Sequence, residues 1–221
     1  MIISHRHKFV YVKTRKTAST SLEIALSKWC GPQDIITHIL ATDEKVRQGL
    51  GYPGPQNYVV PFGPGRSLKL VNHTPVTVAR QVLGDVWPDY FTFTIERNPF
   101  DRAISQYYWE RALSQRSSIE QVTLSRFLAN SPVELLSNWH LYGRGSTVLV
   151  DFVGRYETLA DDLQTISERI GLREGIDISA IRTKDRLRSD RRHYREVLQL
   201  DDRRLIEEVC HREVEEFGYS W

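Results

Sequence analysis

The chain has 221 residues, 40% of them hydrophobic and 26% charged, with a formal net charge of +2. That is the profile of an ordinary globular protein long enough to bury a sizeable core, and it does not announce a nucleic-acid binder. No apolar run approaches the ~20 residues of a membrane-spanning helix. From the N-terminus, Lys8–Val12 predicts a strand and Ser19–Trp29 a helix, which Gly31-Pro32 ends. Residues 49 to 66 are rich in glycine and proline and predict a long surface loop. Leu68–Asn72 reads as a strand, Pro75–Leu83 as a helix, Tyr90–Ile95 as a strand and Pro99–Leu113 as a helix, with Pro75 and Pro99 suited to first turns. Leu124–Ala129 follows as helix, Val148–Val153 as strand, and Leu159–Ile170 and Asp201–Phe217 as helices. The alternation predicts an α/β fold: a parallel sheet of about four to five strands with helices on both faces. The two cysteines, Cys30 and Cys210, lack metal-ligand spacing and are read as reduced thiols. His5-x-His7 lacks a third ligand at a sensible distance, so no metal site is expected there.

The most informative stretch is residues 10 to 21, Val-Tyr-Val-Lys-Thr-Arg-Lys-Thr-Ala-Ser-Thr-Ser. A strand ends in Lys13, Arg15 and Lys16, small and hydroxylated residues follow, and a helix begins. A helix N-terminus offers unpaired N–H groups and the positive end of its dipole. Lys16 adds a point charge, and Thr17, Ser19, Thr20 and Ser21 add hydroxyl donors. The expected ligand is a phosphate or a sulfate. A nucleoside-triphosphate loop needs G-x-x-x-x-G-K-[ST], and there is no glycine between Met1 and Cys30.

A second segment, residues 91 to 108, reads Phe-Thr-Phe-Thr-Ile-Glu-Arg-Asn-Pro-Phe-Asp-Arg-Ala-Ile-Ser-Gln-Tyr-Tyr. Arg97 sits at a strand's C-terminal end, where open α/β sheets bind ligands. Ser105 lies eight residues on, about two helical turns away. The pair is suited to clasp one anion, the guanidinium through a forked contact and the hydroxyl through a further bond.

Lys16-Thr17-Ala18-Ser19-Thr20-Ser21 resembles the 5′-phosphosulfate loop of sulfotransferases that use 3′-phosphoadenosine 5′-phosphosulfate (PAPS). Arg97, Pro99, Arg102, Ser105, Tyr107 and Tyr108 resemble that family's 3′-phosphate motif, Arg-x-Pro-x-x-Arg-x-x-Ser followed by aromatics. Asp151-Phe152-Val153-Gly154-Arg155-Tyr156-Glu157 and the ending Glu216-Phe217-Gly218-Tyr219 are similar to later segments of the carbohydrate branch, which includes the heparan sulfate 2-O-sulfotransferases. The resemblance implies a P-loop-NTPase-like sheet, one sulfotransferase domain over residues 1–221, and donor contacts from Arg15, Lys16, Thr17, Ala18, Ser19, Thr20, Ser21, Arg97 and Ser105. It implies sulfuryl transfer from PAPS to a hydroxyl, with a saccharide acceptor and no required metal. Two positions depart from the pattern. Arg15 stands where proline usually precedes the lysine, and Glu96 stands where an apolar residue usually precedes the arginine. A Glu96 facing Arg97 would compete with phosphate; one pointing across the strand would not.

Sulfuryl transfer needs positioning and charge stabilisation, and a lysine near the bridging oxygen stabilises the leaving phosphate. Lys16 matches that role. A hydroxyl acceptor also needs a general base, for which histidine is the usual choice. His73 is the first candidate, because it follows Leu68–Val71 and so should sit at a strand's C-terminal edge. An alternative is that Asn72 and His73 only cap the next helix. His140 and then Glu110 follow as candidates. Arg182 to Arg195 carries seven basic residues (Arg182, Lys184, Arg186, Arg188, Arg191, Arg192, Arg195), which suits a basic lid or a solvated face. Trp87, Tyr107, Tyr108, Trp109 and Trp139 are candidates for stacking on sugar faces, though most are expected in the core. The opening strand predicts neither a signal-peptide core nor the N-terminal anchor of animal Golgi sulfotransferases. The chain is expected to be a cytoplasmic bacterial protein or an excised catalytic domain, with no nucleic-acid partner and no membrane span. The competing readings are a kinase-like phosphotransferase on the same fold and a non-catalytic module for a nucleotide or an anionic glycan.

Overall fold

In the computed structural model, residues 1–114, 122–181, 183 and 188–221 are described. The chain runs through β1 (Ile2–Ser4), β2 (Phe9–Tyr11), α1 (Ser19–Ser27), β3 (Ile35–Ile36), α2 (Ala41–Gly49), β4 (Val59–Pro61), β5 (Ser67–Lys69), α3 (Val76–Leu83), β6 (Phe91–Glu96), α4 (Pro99–Ser114), α5 (Leu124–Asn130), α6 (Val133–Leu136), α7 (Trp139–Tyr142), β7 (Gly143–Arg144), β8 (Thr147–Val148), β9 (Phe152–Arg155), α8 (Leu159–Arg169), α9 (Tyr194–Val197), α10 (Leu200–Val209) and α11 (His211–Phe217). The central sheet has five strands in the order β3-β1-β2-β6-β9. β2, β6 and β9 run parallel, as the alternation predicts. β1 is antiparallel to both its neighbours. The turn that joins it to β2 spans only residues 5–8, too short for a parallel crossover.

The described residues divide into two compact units: Met1–Thr14, Ala18–Glu96 and Leu141–Thr183 in one, Arg15–Thr17, Arg97–His140 and Lys184–Trp221 in the other. The first holds the sheet. Alternation along β2 and β6 puts Phe9, Tyr11, Phe93 and Ile95 on one face, packed with Leu22 and Leu26 of α1 and Leu163 and Ile166 of α8. Thr92, Thr94 and Glu96 occupy the alternate positions of β6, and all three are buried. Glu96 accepts a 2.9 Å hydrogen bond from the Tyr142 hydroxyl. Gly154 of β9 pairs with Ile95, and a Cβ there would come within 2.7 Å of Ile95 Cδ1 and 3.2 Å of Asp162 Cβ. Only glycine lets β9 lie this close to α8.

A fully buried Glu23 on α1 is the charge centre of this unit. Lys13 Nζ lies 2.7 Å from it, the N-terminal amine 3.4 Å and Arg47 Nη2 3.5 Å. Burial works to raise its pKa, yet Lys13, the terminal amine and Arg47 together hold it below the ordinary 4.5. Cys30 is buried and free, and burial pushes its thiol far above the usual range.

The second unit is helical. Phe100, Ala103 and Ile104 of α4 pack with Leu128, Leu136, Leu198, Ile206 and Cys210. Cys210 is also buried and free. Arg102 is buried here: it donates to the Leu136 carbonyl at 2.6 Å and lies 3.2 Å from Glu213 Oε1.

Three expectations are corrected. The strand placed at Leu68–Asn72 is β5, which pairs with β4 as a separate antiparallel hairpin rather than joining the central sheet. The segment read as a loop over residues 49–66 therefore carries β4. The helix read over Asp201–Phe217 is two, divided at Cys210. Among the described residues no helix is long and apolar enough to cross a membrane.

Candidate active site

The turn after β2 has left-handed backbone at Lys16 (φ 63°) and Ala18 (φ 56°), neither of them glycine. Such conformations cost about 1–3 kcal/mol each and persist where the surroundings impose them. Alternating turns of this kind gather main-chain N–H groups into an anion-binding concavity. α1 then begins with Ala18 as its N-cap, which has no side-chain oxygen to accept from the first amides, and its first turn holds no acidic residue. Ser19, Thr20 and Ser21 are buried in that turn. α4 starts differently. Asn98 Oδ1 accepts from the N–H of Phe100 at 3.0 Å, so that helix end is capped from within the chain.

The start of the turn is fixed by Asn138. Its Oδ1 accepts from Arg15 N at 2.9 Å and its Nδ2 donates to Arg15 O at 3.1 Å. A proline at position 15 could not make the first of these bonds. Lys16 Nζ lies 5.2 Å from the centroid of the Trp109 ring on α4, in cation–π geometry. Ser21 donates to the Ile181 carbonyl at 2.8 Å and lies 3.2 Å from the Thr183 hydroxyl, so its oxygen tethers a later segment.

Arg97 donates through Nη1 to the Lys16 carbonyl at 3.0 Å, which joins the two motifs directly. Its Nε and Nη2 donate to Asp101 Oδ2, at 2.9 and 2.5 Å. The other Asp101 oxygen accepts from Arg188 Nη1. Burial favours the protonated acid, but the two guanidinium groups hold Asp101 below the ordinary 3.8. Glu96, the competitor anticipated from sequence, faces away to Tyr142. The competitor present is Asp101, and its signal was the i,i+4 spacing from Arg97. Ser105 is half-buried on α4.

His73 follows the β4–β5 hairpin rather than a central strand. It nevertheless meets the end of the first motif's strand, with Nδ1 2.9 Å from the main-chain oxygen of Lys13. A carbonyl only accepts, so Nδ1 carries the proton and Nε2 is the basic nitrogen. His140 Nε2 lies 3.4 Å from Arg15 Nη1. Burial, and then Arg15, lower its pKa from the ordinary 6.5. Glu110 accepts from Gln106 at 2.8 Å.

His5 Nδ1 is 2.5 Å from the Tyr90 hydroxyl, and among the described residues no cluster of three metal-ligating side chains occurs. Of the basic stretch, Arg182, Lys184 and Arg186 lie outside the described residues. Arg188 is engaged by Asp101, and Arg192 pairs with Asp190 at 2.7 Å.

With both motifs joined through Arg97 and Lys16, comparison with known proteins gives the class. The family model described as the sulfotransferase family matches residues 1–220. The chain belongs to the sulfotransferase family, which makes it a transferase of sulfuryl groups. It is also similar to an uncharacterized protein of Archaeoglobus fulgidus, 27% identical over 108 residues that cover 47% of this chain and 88% of that one. No solved structure is a significant match.

Proposed function

We propose that the chain, acting over residues 1–221 as one sulfotransferase domain, moves the sulfuryl group of PAPS to a hydroxyl of a saccharide. The observation that carries this reading is the left-handed turn at Lys16 and Ala18, which opens onto an uncapped helix start and is bonded to Arg97. Main-chain amides of residues 16–21, with the hydroxyls of Thr17, Ser19 and Thr20, bind the 5′-phosphosulfate. Ser21 contributes its amide, and Arg15 sets the start of the turn. Arg97 and Ser105 receive the 3′-phosphate, and Lys16 stabilises charge on the leaving phosphate. The acceptor oxygen attacks sulfur in line as the bond from sulfur to the phosphate oxygen breaks, and His73 Nε2 takes the hydroxyl proton. None of these roles requires a metal. The compartment proposed is the cytoplasm.

Calorimetric titration with 3′-phosphoadenosine 5′-phosphate, against AMP and magnesium-ATP, tests the donor. Tight binding of the bisphosphate alone supports the reading. Preference for magnesium-ATP would make the chain a phosphotransferase instead, and binding without transfer to any hydroxyl would make it a recognition module.

A further inference from the structure

The buried Glu23 cluster and the candidate base are linked by bonds to which the mechanism gives no role. His73 lies in a tight turn, where Thr74 Oγ1 accepts from Val71 N and donates to Val71 O, both at 2.8 Å. Pro75, not His73, is the N-cap of α3. The ring of His73 meets the Lys13 carbonyl through Nδ1 at 2.9 Å. Lys13 is buried, and its Nζ lies 2.7 Å from Glu23 Oε2. The amine of Met1, 3.4 Å from Glu23 Oε1, donates to the Asn72 carbonyl at 3.2 Å. Two arms thus run from one carboxylate to the His73 turn. One reaches the ring through Lys13, and the other reaches the main chain just before it.

Glu23 itself sits on α1, one turn after Ser19, on the helix whose start forms the proposed donor cradle. Lys13 is therefore tied to the candidate base by its carbonyl and to the donor helix by its ammonium. A well-packed apolar pair of the same volume would hold these elements together about as firmly as a buried ion pair. What the ion pair adds is a fixed distance and direction. A general base needs one tautomer and one orientation toward the proton it takes, and a misplacement of about 1 Å costs on the order of 100-fold in rate.

We propose that Glu23 is a positioning residue for the base: acting through Lys13, it fixes the tautomer and direction of the His73 ring relative to the helix that cradles the donor. This rests on the reading of His73 as the base. Nitrogen NMR of the His73 ring in the free full chain reads the tautomer directly. The wild-type ring should carry its proton on Nδ1, and Glu23→Gln and Lys13→Met should each relax it into exchange between the Nδ1–H and Nε2–H forms. Lys13→Met leaves Glu23 paired with Arg47, and it serves as the test where Glu23→Gln fails to fold. With PAPS as donor and methyl glucoside as acceptor, either variant should lower kcat at least ~10-fold. Affinity for 3′-phosphoadenosine 5′-phosphate should stay within about threefold. In a His73→Ala background the same substitution should lower kcat no further, because its effect passes through that ring. An unchanged ring spectrum, or an equal loss of kcat with and without His73, would overturn the proposal and leave Glu23 a purely structural residue. Unchanged turnover in His73→Ala would instead sink the reading of His73 as the base, and the ring spectra would still decide whether Glu23 positions it.

Discussion

Asp101 holds Arg97 by the edge that a phosphate would use. Nε and Nη2 both point at one carboxylate oxygen, and Arg188 takes the other. On the proposed reading, an incoming 3′-phosphate would exchange with a carboxylate rather than with water. Asp101→Asn keeps the shape and removes the charge, and one unit charge at this range is worth about 1–2 kcal/mol at intermediate dielectric. The bisphosphate should bind about three- to tenfold more tightly to the variant, with slower product release. Calorimetry and a kcat measurement check this. Weaker binding would mean that Asp101 orients Arg97 rather than competing for it.

In the proposed mechanism His73 would serve as base through Nε2, with the Lys13 carbonyl fixing its tautomer. His73→Ala should lower turnover at least ~100-fold and leave bisphosphate affinity nearly intact. Steady-state rates beside calorimetry separate the two effects. Unchanged turnover would transfer the role to His140.

The Glu23 cluster gives a pH dependence with a definite sign. A carboxylate held below its ordinary 4.5 adds stability that is fully present above that pH and is lost as pH falls through the folded value. Glu23→Gln leaves Lys13 and Arg47 buried without this partner and should cost about 3–5 kcal/mol at pH 7. Denaturant unfolding between pH 7 and pH ~3 should show the gap narrowing on the acid side. A gap that stays constant would mean that charge at Glu23 contributes nothing.

Gly154 is the close-approach point of β9. Gly154→Ala puts a methyl 2.7 Å from Ile95 Cδ1 and should destabilise the chain by about 1–3 kcal/mol. Adding Ile95→Val, which removes that Cδ1, should recover part of the loss in thermal unfolding. No recovery would place the strain at Asp162 instead.

The strand–turn–helix units at residues 9–27 and 91–114 are legible in sequence because apolar runs end abruptly in basic residues and Pro99 marks a helix start. The hairpin at β4 and β5 is not, because a short apolar run such as Leu68–Val71 carries no information about which strand it pairs with. His73 therefore does not end a central strand, although its Nδ1 still meets the Lys13 carbonyl just after β2. Glu96 and Arg97 are adjacent in sequence, and alternation alone sends them apart. Asn138 lies 123 residues from Arg15, and no local pattern announces that clamp. The break at Cys210 is equally silent, since neither glycine nor proline marks it.

Lys16 and Ala18 hold a backbone shape that most nucleotide loops reach with glycine. A glycine loop is loose until its anion arrives and must be ordered at each binding event. Here the clamp at Asn138 holds the start of the turn through bonds made within the chain. On the proposed reading, the donor would meet a cradle already in shape, and its departure would leave that shape in place. On that reading neither encounter nor release would wait for the loop to rearrange.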